Sequence, residues 1–464
     1  MNWADLWAAL ALVLILEGLI PFASPGGYRN MVQQMAAMPE KTLRSVGLVL
    51  IFCGLVLLLL VRGWALAMTS SKRWLLPDGV QETLPPDAVA VEALRHEILQ
   101  VFARWGYDLV MPAMIEYMDS LLTGTAHSLD TRTFALVDQL SGKQMGVRSD
   151  MTPQVARIDA HLLADSAMQQ RVARLCYCGH LLHAIGDGIT SSRTPLQIGA
   201  EIFGSDAISA DVEVVSLMVA TLHGVGLNDV CIDVGHVGIF RNLVKNTDLD
   251  HDQEARLFDM LQRKSIPDLQ AYLQTLPLAE QRRQEIYQLA LLNGDLSVID
   301  EARTRYADVD AELMASLDYM QKVVESLQEK YPATLINCDL AELRGYSYHT
   351  GLVFAAFLPG QGREIARGGR YNDVGEVFGN ARPATGFSAD LLNLYQLCGS
   401  AGVAPKGILA PDHSDPELSA LIADLRRQGE RVVVDLTGAT VAAREQNCSR
   451  QLIQVDGAWA VNEV

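Results

Sequence analysis

ARGGRYNDVGEVFGNARPATGFSADLLNL, residues 366–394, joins a glycine-rich segment to a short apolar run. Gly368, Gly369, Arg370 and Tyr371 read as a glycine-rich turn, Pro383 to Phe387 as a hairpin-like segment, and Leu391 onward as the start of a short apolar helix. At that helix start stands Leu392-Asn393-Leu394. Asparagine carries no charge and cannot form the bidentate fork with phosphate that arginine supplies.

Working outward, residues 87–105 place Val89, Val91, Leu94, Ile98, Val101 and Phe102 at helical spacing. Gly106 ends that helix, and YDLVMPAMIEYM (107–118) reads as a strand whose Pro112 marks an edge or bulge. FALVDQLSGKQMGVRSDMTPQVAR (134–157) reads as a hairpin around Ser141-Gly142, then a helix capped near Asp150 and Thr152. Residues 173–204 read as strand, loop, strand; a helix at about 208–224 and a strand at 229–237 follow. Residues 240–332 are charged and helical by pattern, and ATLINCDL (333–340) returns to strand. Antiparallel strands with helices to one side predict an α+β domain rather than a doubly wound sheet. Residues 405–464 alternate GILAP, a helix (415–429), RVVVDLTGAT and RQLIQVDG, a small α/β tail. VVVDLTGAT (432–440) has a superficial likeness to a phosphoribosyl-pyrophosphate loop, but one acid and a Thr-Gly step read better as strand plus turn.

The chain's 464 residues suffice for two or three domains. The net charge is −18. Residues 1–68 carry +1, from Arg29, Lys41, Arg44 and Arg62 against Asp5, Glu17 and Glu40, which leaves −19 on the rest. So acidic a body argues against wrapping nucleic acid, where Lys and Arg must neutralise phosphates. Cysteines number seven, and Cys176-Tyr177-Cys178 is too tightly spaced for a zinc knuckle and lacks a second pair. Buried free thiols on a strand are expected, with no metal site and no cofactor.

Residues 3–22 are apolar except for Asp5 and Glu17, and residues 45–61 carry no charge. Each run is long enough to cross or nearly cross a hydrocarbon core, so residues 1–67 are expected to form a transmembrane helical hairpin. The connection SPGGYRNMVQQMAAMPEKTLR (24–44) opens on a Pro-Gly-Gly break and ends polar. Loop charges do not decide orientation, because Arg29, Lys41 and Arg44 balance Arg62, Lys72 and Arg73. A cytosolic body places both ends inside. Met68 has the position of an original start codon, which makes a fusion of two neighbouring genes the simplest account. EGLIPFASP (17–25) and GLVLLLLVR (54–62) resemble a family of small two-helix bacterial inner-membrane proteins.

RSDMTPQVAR (148–157), LQIGAEIFG (196–204), LRGYSYHTG (343–351), GGRY (368–371) and PATGF (383–387) occur in that order. Over residues 74–395 the chain thereby resembles histidyl-tRNA synthetases and their paralogue, the regulatory subunits of bacterial ATP phosphoribosyltransferase. WLLPDGVQETLPP (74–86), LLTGTAHSLDTRTFALVDQLSG (121–142) and LCYCGHLLHA (175–184) are similar to the regulatory subunits in particular. The resemblance implies a class II aminoacyl-tRNA synthetase-like antiparallel sheet core over 68–395, with a reduced helical insertion near 240–332. A tail over 396–464, shorter than a full anticodon-binding domain, completes the chain. The helix and proline-interrupted strand at 87–118 resemble motif 1, which builds a dimer interface.

The same resemblance implies an amino-acid pocket. Asp150 matches a glutamate that holds the substrate α-amino group, with Thr152 beside it; Gln197 and Glu201 match motif 2 contacts; Arg344 matches the histidine-specific arginine; Tyr346 or Tyr348 lines the imidazole pocket. Gln197 and Glu201 alternate on a strand and so face one side. The phosphate clamps depart from the pattern. His183 stands where motif 2 has an arginine, Ile185 where it has an acid, and Asn393 where motif 3 has its arginine. Losing two clamps removes electrostatic stabilisation that adenylate formation needs. The implied function is a non-catalytic regulatory subunit that binds histidine as effector and acts in the first step of histidine biosynthesis. Its expected partner is the short catalytic subunit, within a hetero-oligomer containing a homodimer, in the cytoplasm and tethered to the inner membrane by residues 1–67. A functional histidyl-tRNA synthetase and a membrane-anchored scaffold are the alternatives.

Overall fold

The computed structural model describes residues 22–36, 38–39, 44–45, 48, 52, 75–121, 131–163, 172–186, 192–245, 247–344, 348–372, 382–399, 407–436 and 446–464. They belong to two compact units, Met1–Asp78 and Gly79–Val464. In the first, Pro25–Ala36 is a helix. The Pro-Gly-Gly step expected to break the chain therefore starts a helix instead. Proline is favoured at a first helical position, because the N–H it lacks would have no partner there. The apolar runs expected to span a membrane lie outside the described residues, apart from Phe22, Ser45, Leu48 and Phe52, and so does Met68. Among the described residues no helix is long and apolar enough to cross a membrane.

Among its described residues the second unit holds sixteen strands in three sheets. In chain order they are β1 (Asp108–Leu109), β2 (Ile115–Tyr117), β3 (Phe134–Val137), β4 (Gln144–Val147), β5 (Ala173–His180), β6 (Leu196–Phe203), β7 (Cys231–His236), β8 (Asn293–Gly294), β9 (Leu335–Asp339), β10 (Leu352–Phe357), β11 (Ala366–Arg370), β12 (Ala384–Asp390), β13 (Gly407–Pro411), β14 (Val432–Asp435), β15 (Cys448–Val455) and β16 (Ala458–Glu463). The main sheet runs β1-β5-β6-β12-β11-β10-β7-β9-β8. Its β1–β5 and β7–β9 pairs are parallel and the others antiparallel. A small sheet, β2-β4-β3, stands beside it. The segment 107–118, expected as one interrupted strand, splits around Pro112 into β1 and β2 of different sheets; proline has no N–H to continue a ladder.

Gly368 and Gly369 lie within β11 and not in a turn. A Cβ at Gly368 would overlap the backbone carbonyl of Gly386 and the Phe354 ring. Glycine is there because two strands and a ring close on one point, a use of glycine that sequence alone does not separate from a turn.

The alternation of strand side chains divides the main sheet into two unlike faces. On β6, Leu196, Ile198, Ala200 and Ile202 join the large core under the helices, while Gln197, Gly199, Glu201 and Phe203 point to the other side. The helix Ile208–Gly224 packs on β6, β11 and β12, and Ala311–Lys330 packs on it and on β7. The latter closes a set of six helices between β7 and β9, beginning with Val237–Val244. The last part of the chain forms its own four-stranded sheet, β14-β13-β15-β16. Ile408, Ala410, Leu418, Ile422, Val432 and Leu452 make a separate core there. Its final strand, β16, ends on two polar residues and its apolar ones are largely exposed, so it had no periodic signal to read.

Helices and sheet are tied by a buried charge. Arg370 Nε on β11 donates to Asp211 Oδ2 at 2.9 Å, and Arg370 Nη1 donates to the Ser205 carbonyl at 2.9 Å. The Tyr319 hydroxyl of Ala311–Lys330 donates to the same Asp211 oxygen at 2.5 Å. Removing one partner of a buried pair leaves the other charge without compensation. Asp211→Ala is therefore expected to destabilise the chain by about 3–5 kcal/mol, measured as a shift in the denaturant midpoint; a loss under about 1 kcal/mol, the range of exposed pairs, would show the network to be solvated.

Candidate functional site

The sheet face turned away from the helices borders a cavity of about 1740 Å³, larger than the roughly 300–1,000 Å³ that encloses one drug-sized ligand. Asp150, Thr152, Gln197, Glu201, Arg344 and Tyr348 all line it. Tyr346 lies outside the described residues.

Glu201 forms the floor. It is 1% exposed, yet no cation stands among its hydrogen-bond partners. Tyr371 Oη donates to its Oε2 at 2.6 Å. Tyr177 Oη and Thr152 Oγ1 donate to its Oε1 at 2.9 and 3.0 Å. Two glycines make the room for this cluster. Gly199 lies opposite Tyr177 in register, and a Cβ there would meet the Tyr177 ring and hydroxyl. Gly386 lies opposite Glu201, and a Cβ there would overlap the carboxylate. Burial pushes the Glu201 carboxyl up to about 8; the Tyr371, Tyr177 and Thr152 hydroxyls oppose that shift and the Asp150 charge adds to it.

Asp150 stands at the rim of the same pocket. Its Oδ1 accepts from Gln197 Nε2 at 2.9 Å and from the Thr152 N–H at 3.0 Å. Gln197 in turn accepts the Met151 N–H through Oε1 at 2.9 Å, which fixes which end of its amide is oxygen. The Tyr348 ring lies 4.9 Å from that of Tyr371. Its hydroxyl is buried and has no hydrogen-bond partner among the described residues, a cost that a polar ligand atom would remove.

Arg344 is held from behind. Its Nη1 donates to Glu342 Oε2 at 2.7 Å, and its guanidinium lies 5.1 Å from the Phe357 ring centroid. Burial pushes the Glu342 carboxyl up to about 7, against the pull of Arg344. Oxygens of Asp233, Asp339 and Glu342 come within 4.8 Å of one another. Protein donors already occupy this acidic cluster: Lys264 Nζ lies 2.7 Å from Asp339, and Asn337 Nδ2 donates to Asp233 at 3.1 Å.

The residues at the clamp positions do other work. His183 Nε2 donates to the Ser149 carbonyl at 2.9 Å, since a carbonyl can only accept. Burial lowers the His183 pKa, so the ring is neutral at pH 7 and turned to the backbone. Ile185 is exposed, and Asn393 lines the cavity without charge. Cys176 and Cys178 lie on β5, and burial pushes their thiols up to about 12 and about 11.

Tyr177 and Tyr371 were not among the residues expected from the sequence. Tyr371 follows the strand of the opening stretch, and Tyr177 sits between the two cysteines of β5. The available signal was register: each falls on the same side as Glu201 once β5, β6, β12 and β11 are aligned.

The family model described as "Histidyl-tRNA synthetase" matches residues 79–394. The model described as "ATP phosphoribosyltransferase subunit HisZ C-terminal domain" matches residues 405–462. Residues 6–61 match a family described as "Uncharacterized protein conserved in bacteria". The chain is 49% identical over 399 residues to the ATP phosphoribosyltransferase regulatory subunit of Thioalkalivibrio sulfidiphilus, covering 86% of this chain and 100% of that one. It is 48% identical over 393 residues to that of Alkalilimnicola ehrlichii, covering 84% and 97%. Among solved structures, an ATP phosphoribosyltransferase regulatory subunit/histidyl-tRNA synthetase from Bacillus halodurans superposes with a TM-score of 0.72 at 28% identity, covering 82% of this chain and 97% of that one.

The raised Glu201 pKa makes stability depend on pH. From the usual 4.5 up to about 8 the folded chain holds a proton that the unfolded chain has released. This contribution is complete below 4.5 and is lost as pH rises through about 8. Denaturant midpoints of the ligand-free protein are expected to fall across that window, and Glu201→Gln to flatten part of the fall. Identical slopes for the two proteins would mean that Glu201 is ionised throughout.

Proposed function

This chain belongs to the family of ATP phosphoribosyltransferase regulatory subunits, and from that premise we propose that it is a histidine-sensing, non-catalytic subunit of that enzyme. In this reading it joins a short catalytic subunit and supports the first step of histidine biosynthesis. The observation that carries it is the division within one cavity. Asp150, Thr152, Gln197, Glu201 and Tyr348 line one cavity and suit an amino acid bearing an imidazole, while His183 and Asn393 leave the two phosphate-clamp positions without a cation. Asp150 takes the α-ammonium group. Glu201 and the tyrosine hydroxyls around it take the ring nitrogens, which need one hydrogen-bond partner each. Arg344, backed by Glu342, closes the far side.

Histidine then regulates by binding two states of the assembly unequally, because only a differential affinity can shift an equilibrium. The self-association expected of the fold falls on the face around β2, β3 and β4. Met111, Met114, Ile115, Tyr117, Leu136 and Val137 expose apolar side chains there. A patch of that character is what a homodimer interface would cover. The body works in the cytoplasm, and residues 1–67 tether it to the inner membrane.

Three measurements test the proposal. Histidine-dependent ATP–pyrophosphate exchange is expected to be absent, and its presence would restore the synthetase reading. In the complex with its co-purified catalytic subunit, Glu201→Ala and Arg344→Ala are expected to raise the histidine concentration for half-inhibition by roughly tenfold or more, the weight of a charged hydrogen bond; unchanged inhibition removes the pocket from the mechanism. The tether is tested by fractionation: the full chain is expected with membranes and residues 68–464 in the soluble fraction, and recovery of only a 68–464 species from cells would dismiss the anchor.

A further inference from the structure

The cavity has a second charged feature. Arg132 and Arg367 both line it. Arg132 is half-buried, and its backbone is fixed by the Ala184 N–H donating to its carbonyl at 2.8 Å. Arg367 lies on β11, opposite Ala355 of β10 and Ser388 of β12. Alternation along β11 sends Arg367 to the face of Tyr371, while Arg370 turns to Asp211 under the helices. Glu364 accepts from Arg367 Nη1 at 3.1 Å and also lies 3.9 Å from Arg344 Nε, so one carboxylate is shared by two guanidinium groups. The Arg132 guanidinium senses its surroundings in the same sense: after burial, the largest influence lowering its pKa is Arg367, and Asp150 opposes it. Two like charges and the Asp150 carboxylate thus border one cavity, close enough to influence one another.

That pattern matches a zwitterion. A free amino acid carries its ammonium and carboxylate on one carbon, so a site that recognises it needs an acid and a base close together. A site for the free amino acid must also compensate a full negative charge, because an unpaired carboxylate taken from water is costly. We propose that Arg132 and Arg367 form the carboxylate subsite of this pocket, so that the chain reads the free, zwitterionic amino acid by both of its poles. The proposal rests on the pocket reading above and adds the anion half of it. Nothing at the clamp positions competes for the role, since His183 is neutral and committed to Ser149. The subsite also selects against analogues that lack a carboxylate, because they forgo the charged hydrogen bonds that the two guanidinium groups offer.

The test compares equilibrium binding of L-histidine and L-histidinol to the full-length chain by calorimetry; histidinol has a hydroxymethyl group in place of the carboxylate. The wild type is expected to prefer histidine by roughly ten- to hundredfold, the range of a charged hydrogen-bonding pair. Arg132→Gln and Arg367→Gln are each expected to weaken histidine binding by about tenfold and to leave histidinol within about twofold. Retained histidinol binding shows that the variants fold. Equal affinity of the wild type for both ligands, or equal loss of both in the variants, overturns the subsite and leaves the rest of the pocket standing. Histidine binding that survives Glu201→Gln unchanged overturns the pocket reading itself, and the subsite with it.

Discussion

The interaction on which the site depends is the burial of the Glu201 carboxylate among three hydroxyl groups. Burying an ionised carboxylate without a cation is costly, and three neutral donors recover only part of that cost, as the rise to about 8 records. The surrounding sequence follows from this. Gly199 and Gly386 are bare so that Tyr177 and the carboxylate fit. Tyr371 reaches across from the end of β11, and Thr152 opens a short helix beside it. A cation arriving above Glu201 would remove the mismatch, since an opposite charge favours the ionised form. The floor is thus better suited to a ligand with a basic nitrogen than to the empty state.

The same cavity explains why binding does not lead to adenylate chemistry. Rate acceleration needs contacts that strengthen in the transition state, and for phosphate chemistry these are cations placed where charge develops. Here the two positions that would carry them hold a backbone-bound imidazole and an asparagine. In the proposed reading the contacts that remain act on a resting amino acid. A site with ground-state contacts alone binds, and binding can do work only by biasing an equilibrium between states of an assembly.

Much of this was legible in the sequence because strand alternation is a strict rule. Gln197 and Glu201 were bound to share a face wherever β6 lay, and the helix read at about 208–224 is Ile208–Gly224. What escaped was pairing between distant strands. Tyr177 and Tyr371 become partners of Glu201 only through the registers of β5 with β6 and of β12 with β11, which no local pattern encodes. Gly368 and Gly369 read as a turn because a glycine needed for close approach looks the same as one needed for a positive φ. Pro25 misled in the opposite way, since it starts a helix as readily as it stops one.

The charge behind Arg344 bears on how occupancy of the pocket could reach the rest of the unit. Arg344 draws on Glu342, which shares its cluster with Asp233 and Asp339, and Asp339 is held by Lys264. Lys264 follows the helix His251–Gln262 and sits in the left-handed region at φ 49°, so its ammonium reaches the cluster from the helical segment between β7 and β9. Phe258 and Gln262 of that helix also line the cavity. A ligand that competes for Arg344 changes the charge left on Glu342, and with it the balance that Lys264 helps to set. The cavity and the helical segment thus meet at one acidic cluster, which is the kind of shared element that the proposed coupling between a site and an assembly requires.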